Sequence, residues 1–239
     1  KIRKSFAKKK LIVEGVDVDS AIINQAMKSY PEICFLCRNM YDDGPIGNAY
    51  NYVFSNEVLH WMPTLPSEYL PMDGILYRHL EDSLQQKYIA WGNEQMKKSF
   101  NFIKCNLDGY SFLQFGLRGQ LQGVFALLKR LLLELFPEQL PWINFPLYYP
   151  SESDVRKIAE SVGLEVVVME VLTEDLVERS ACEVVSFIRA FSKEYFLAKL
   201  GHVRCKQLFD QMVEYAECEL PEIRKNQWQR CMLILRSHC

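Results

Sequence analysis

No stretch of this 239-residue chain approaches the run of about 20 apolar residues that a membrane-spanning helix requires. Its charged opening has no apolar signal core behind it either, so a cytoplasmic protein without a membrane partner is expected. Charge of one sign is scarce: 28 Lys and Arg stand against 30 Asp and Glu, for a net −2. That balance gives no reason to expect a nucleic acid or anionic lipid surface as partner. The one local excess, Lys1, Arg3, Lys4, Lys8, Lys9 and Lys10, reads as a solvated helix end. Eight cysteines lack the dense, even spacing of a disulfide scaffold, which points to reduced thiols. Cys34 and Cys37 form a C-x-x-C on a strand-like run, where residues three apart face opposite ways, so no metal site is expected. There is no internal repeat or low-complexity segment.

What is present is an alternation of short apolar strands with helical patterns, the mark of a mainly parallel sheet covered on both faces. Leu11 to Asp17 reads as a buried strand closing on an acidic residue, and Ser20 as the cap of a helix that Pro31 stops. Ile33–Cys37 and Tyr52–Phe54 follow as strands. Residues 66–108 break the rhythm: Leu76 to Lys104 is long, aromatic and helix-compatible, an inserted or elongated helical segment. Gly109 to Gly116 returns to strand, and Leu121 to Leu135 is so apolar that burial on more than one side is expected. Prolines punctuate an aromatic loop over 137–150 that reads as a lid carrying Trp142, Phe145, Tyr148 and Tyr149. Ser151 or Ser153 and Asp154 offer caps for a helix that Gly163 ends, before a strand at Leu164–Val168. Cys182–Leu200 and Val203–Tyr215 read as helices, and Trp228–Leu235 as a closing antiparallel strand. The whole, 1–239, fits one domain.

The most informative stretch runs from Tyr50 to Pro63, where an apolar strand ends in Ser55–Asn56–Glu57 and then reaches Leu59–His60–Trp61. It resembles the "SN-x-x-LHW" fourth-strand motif of class I S-adenosylmethionine-dependent methyltransferases. Four further stretches stand in that family's order, among them Gly15–Val16–Asp17 and the Val-Gly-Leu-Glu-Val-Val run ending at Val167. The resemblance implies an α/β fold, a Rossmann-like sheet with helices on both faces, and S-adenosylmethionine as cofactor. It implies that Asp17, with Val18 beside it, holds the donor's ribose hydroxyls, a task that suits an acceptor-only carboxylate. Asn39 and Met40 fall at the adenine end, where Asn39 replaces the family's usual Asp. Ser55 and Asn56 fall at the donor's amino-acid end, and His60 and Trp61 on the acceptor side.

The style of the motif is similar to trans-aconitate, malonyl-carrier and juvenile hormone acid methyltransferases. A small-molecule carboxylate acceptor is therefore implied, taking the methyl in line with no strong general base. Arg118 is then a candidate carboxylate clamp, and Trp142 and Tyr148 candidate walls. With an amine or hydroxyl acceptor, His60 would take the proton near neutral pH. The family's first strand and its Gly-rich turn should precede Lys1 and have no counterpart in the sequence. That would leave the sheet with two unpartnered inner edges, so a fragment of a longer product with weak donor binding is expected. The alternative is a catalytically inactive fold that serves a protein partner in an assembly.

Overall fold

The computed structural model describes residues 11–41, 44–47, 49–61, 82–138, 147–175, 180–218 and 227–237. Strands β1 (Glu14–Asp17) and β2 (Cys34–Cys37) form a parallel pair joined by helix α1 (Ser20–Ser29). The helix starts one residue earlier than the Ser20 cap expected from sequence. Asp19 is the cap, its carboxylate accepting from the Ala21 N–H at 2.7 Å, because Asp19 still has extended backbone and Ser20 is already helical.

A second sheet has the order β3 (Tyr50–Asn56), β4 (Leu107–Gly116), β6 (Gln227–Ser237), β5 (Leu164–Asp175). β3 and β4 are parallel, and β6 runs antiparallel to both of its neighbours, as its alternating pattern predicts. β5 extends seven residues beyond the Val168 end read from sequence, because β6 pairs with it along its whole length. Among the described residues, β1 has only β2 as a ladder partner and β3 has only β4. Each therefore carries one edge without a strand, and Val16, Tyr52 and Phe54 are exposed beside those edges.

Helix α2 (Asp82–Cys105) crosses over from β3 to β4 and buries Tyr88, Met96, Phe100 and Ile103, spaced by one or two turns on one face. Tyr77 and Leu80 of the expected helical segment lie outside the described residues. Helix α3 (Gln122–Leu135) buries Val124, Phe125, Leu127, Leu128, Leu131 and Leu132, while Leu133 is about half exposed. It thus has one broad apolar face, narrower than the all-round burial its composition suggests. Helix α4 (Glu152–Ser161) begins with a capping box in which the Ser151 hydroxyl accepts from the Asp154 N–H at 3.1 Å and Asp154 Oδ2 accepts from the Ser151 N–H. Helix α5 (Ala181–Cys218) breaks at Gly201, where φ is 76°, so its two halves match the two helices read from sequence. No helix among the described residues is long and apolar enough to cross a membrane, the seven described cysteines are all free, and no cluster of metal-ligating groups occurs there.

The apolar interior forms two clusters. One joins α2, α4 and the sheet through Tyr88, Phe100, Leu113, Phe115, Val155 and Leu233. The other joins α3 to α5 through Phe125, Leu128, Ile188, Phe196 and Phe209. The extended segment 147–149 serves both: Leu147 and Tyr149 enter the helical cluster, and Tyr148 between them enters the sheet cluster.

Gly92 shows how tightly α2 meets that segment, since a Cβ there would lie 2.3 Å from the Tyr148 ring. Tyr148 is fully buried and its hydroxyl donates to Asn93 Oδ1 at 2.5 Å, so the ring has nowhere to go. Gly92→Ala would gain about 1 kcal/mol of helix propensity and lose about 1–3 kcal/mol to overpacking. Urea denaturation is expected to show net destabilisation; a stabilised variant would contradict this packing.

Candidate functional site

Local rules build the site at the end of β3. Glu57 takes the left-handed conformation, φ 57°, that a residue with a side chain adopts rarely, and this turns the chain out of the strand. Its N–H still donates to the Gln114 carbonyl at 2.8 Å, which extends the β3–β4 ladder by one bond. The Trp61 N–H closes a turn onto the Val58 carbonyl at 2.9 Å, and Leu59 sinks into the sheet cluster.

His60 is held at three points. Its Nδ1 accepts from the Gly116 N–H at 3.2 Å, its carbonyl accepts from the Tyr148 N–H at 2.9 Å, and its ring lies 5.4 Å from that of Tyr149. With Nδ1 accepting, a neutral ring carries its proton on Nε2, which faces Glu57 Oε2 at 3.8 Å. Burial pushes the imidazole down to about 4, outweighing the nearby carboxylate, while the same burial raises the Glu57 carboxyl. The proton-accepting role expected of His60 for an amine or hydroxyl acceptor does not fit these surroundings. The ring is a weak base at pH 7 and its lone pair is already used.

Trp61 bridges to Leu147, and its ring meets Phe191 of α5 edge-on at 5.7 Å. Its carbonyl accepts from the Tyr41 hydroxyl, a buried phenol pushed up to about 12 by desolvation. That bond ties the loop after β2 to the turn after β3.

Asp17 ends β1, with Oδ1 accepting from the Asp19 N–H at 2.8 Å and the backbone carbonyl accepting from the Arg38 N–H at 2.9 Å. One carboxylate oxygen is thus fixed and the other is left for a hydroxyl, which fits a ribose. Val18 beside it is exposed. Asn39 Oδ1 accepts from the Tyr41 N–H at 3.1 Å in a local turn, and Met40 leans on the sheet cluster. Ser55 is half-buried and Asn56 exposed at the end of β3.

Other expected residues stand apart. Arg118 follows β4 and pairs with Asp154 at 3.4 Å, on the carboxylate that caps α4. Tyr148 is core, with no face open to a ligand. Trp142, like residues 139–146 of the expected lid, lies outside the described residues. Sequence reasoning passed over Glu57, Tyr41, Gln114 and Gln120. The available signal was polar side chains inside otherwise apolar runs, Gln114 in Ser111–Gly116 above all.

No protein-family model matches the chain, and neither does any curated protein. Among solved structures it is similar to "Loganic acid methyltransferase with SAH", with a TM-score of 0.76 and 16% identity over 99% of this chain and 77% of that one. The fold is the class I methyltransferase fold. Two looser matches are the MccD protein, with a TM-score of 0.51 and 11% identity over 99% of this chain and 84% of that one, and the [4+2]-cyclase SpnF, with a TM-score of 0.50 and 11% identity over 99% and 69%. A cyclase among them shows that this fold does not by itself fix the chemistry. In the class I fold the strand order accounts for both open edges, since β1 and β3 flank the place of a strand that has no counterpart among the described residues.

The buried His60 gives a pH test. Its folded value lies below the unfolded value, so the unfolded chain binds the proton first. Stability is full above pH 6.5 and is lost as pH falls towards 4. From pH 7 to 5 this amounts to about 2 kcal/mol, partly offset by the raised Glu57 carboxyl, which acts in the opposite sense. Comparing His60→Asn with the parent by urea denaturation isolates the histidine. The variant is expected to lose about 2 kcal/mol less than the parent across that range, and equal losses would contradict the assignment.

Proposed function

We propose that the chain forms the body of an S-adenosylmethionine-dependent methyltransferase for a small-molecule acceptor, most simply a carboxylate. The observation that carries this reading is the Tyr41–Trp61 bond. It draws the loop after β2, with Asn39 and Met40, to the turn after β3, with Ser55, Asn56, His60 and Trp61. Asp17 ends β1, the strand paired with β2, and Val18 follows it; the carboxyl ends of strands are where open α/β sheets bind ligands.

Asp17, Val18, Asn39, Met40, Ser55 and Asn56 are assigned to the donor, which when bound supplies a sulfonium methyl for in-line transfer to the acceptor oxygen. The chain's own part is to bind, orient and exclude water. Neutral His60 fixes the turn, and the Trp61 and Phe191 rings give the acceptor an apolar wall. Arg118 is assigned to the acceptor carboxylate, which would have to compete with Asp154 for the guanidinium. Trp142 keeps its assignment as a second wall through its place in the aromatic stretch. A carboxylate nucleophile is already an anion, which agrees with a histidine unsuited to proton abstraction.

Calorimetric titration of S-adenosylhomocysteine is the test, on this chain and on a version extended upstream by a Gly-rich turn. Asp17→Ala in the binding-competent version is expected to weaken affinity about tenfold, the loss of one charged hydrogen-bonding partner. Unchanged affinity would overturn the ribose assignment, and absence of binding by either version would favour a protein-interaction role. Trp61→Ala is expected to lower turnover by more than tenfold with the donor affinity intact; an equal loss in both would make Trp61 a folding residue only.

A further inference from the structure

Glu57 occupies one of the two open positions of the SN-x-x-LHW pattern, and its surroundings are more specific than a solvent-facing turn requires. The carboxylate is held inward by a strained backbone, Oε1 accepts from Gln114 Nε2 at 3.3 Å, and Gln120 also bonds it. Its side chain keeps 32% exposure, so a ligand can touch it. Arg230 of β6, whose charge acts on it through space, is paired with Glu174, and His60 beside it is neutral. Gln120 is only 3% exposed, and its Oε1 is a buried acceptor with no donor among the described residues. It fits over Gly116 so closely that a Cβ there would come within 2.5 Å of it. Folded proteins leave such an acceptor unpaired chiefly where a ligand or water brings the donor.

We propose that Glu57, with Gln114 and Gln120 behind it, is a specificity site that takes a hydrogen-bond-donating group of the acceptor, a hydroxyl or a protonated amine, and turns away a second carboxylate. This rests on the proposed function, because it places Glu57 on the same turn as Trp61, part of the acceptor wall. Carboxylate repels carboxylate in a partly dry site, whereas a hydroxyl or ammonium donates to the exposed side of the Glu57 carboxylate. The preferred acceptor is then an apolar monocarboxylic acid with a donor substituent, and di- and tricarboxylic acids are poor.

Four matched probes test this: hexanoate, 6-hydroxyhexanoate, 6-aminohexanoate and adipate, each titrated into the chain by calorimetry or ligand-observed NMR. The hydroxy and amino acids are expected to bind about fivefold or more tighter than hexanoate, and adipate about tenfold weaker. In Glu57→Gln the amino preference disappears and adipate rises to the hexanoate level, while Glu57→Asp, which keeps the charge, retains the order. An unchanged order in a folded Glu57→Gln, no discrimination by the parent, or no binding of any probe would each overturn the proposal. Methyl transfer is assayed separately on the same probes. Discrimination in binding without transfer to any carboxylate would overturn the proposed reaction and leave the Glu57 site standing.

Discussion

The hydrogen bond from the Gly116 N–H to His60 Nδ1 is the constraint on which the site depends. It joins the last residue of β4 to the turn that follows β3, two strands whose ladder has by then run out. With the ring fixed, the His60 carbonyl is aimed at the Tyr148 N–H and the next residue bridges to Leu147, so 147–149 is drawn in behind the turn. The bond also sets the charge state. An imidazole whose Nδ1 accepts from a backbone amide, in a buried place, stays neutral, and a neutral ring can sit under Tyr149 without a counter-ion. Gly116 suits the position because any side chain would collide with Gln120 and Tyr149.

Around this point the molecule is divided into two apolar clusters, and the site lies on the seam. Leu59 belongs to the sheet side, and Trp61 packs against the helical side two residues later. Such seams suit ligand binding, since side chains from two independently packed bodies converge there with little backbone of their own to satisfy. The Tyr41 hydroxyl adds a third contributor from beyond β2. That bond joins the loop after β2, in the two-stranded sheet, to the turn after β3, in the four-stranded one.

Much of this was legible in the sequence. The β-branched and aromatic runs gave six strands, and alternation from Trp228 marked the antiparallel one. The open edges of β1 and β3 among the described residues agree with the strand order that the family resemblance implies. What the sequence hid was set by long-range contacts. The reach of β5 depends on β6, nearly sixty residues away, and the one-sidedness of α3 depends on where α5 lies. His60 read as an available base because its type and pattern carry no record of the Gly116 amide, and Tyr148 read as a pocket wall because nothing local reveals Gly92 beneath it. Glu57 was passed over because its importance lies in a backbone angle and in Gln114 and Gln120, which arrive from another part of the chain.

His60, with Nδ1 accepting from the Gly116 amide in a buried place, acts as a fixed, neutral anchor rather than a proton acceptor. Nitrogen-15 NMR of the histidine side chains, assigned through His60→Asn, tests it most directly. A single Nε2–H tautomer is expected for His60 from pH 7 down to about 5, with Nδ1 hydrogen-bonded and no titration in that interval. An imidazolium at pH 6.5, or a mobile mixture of tautomers, would contradict it and return His60 to the list of candidate bases.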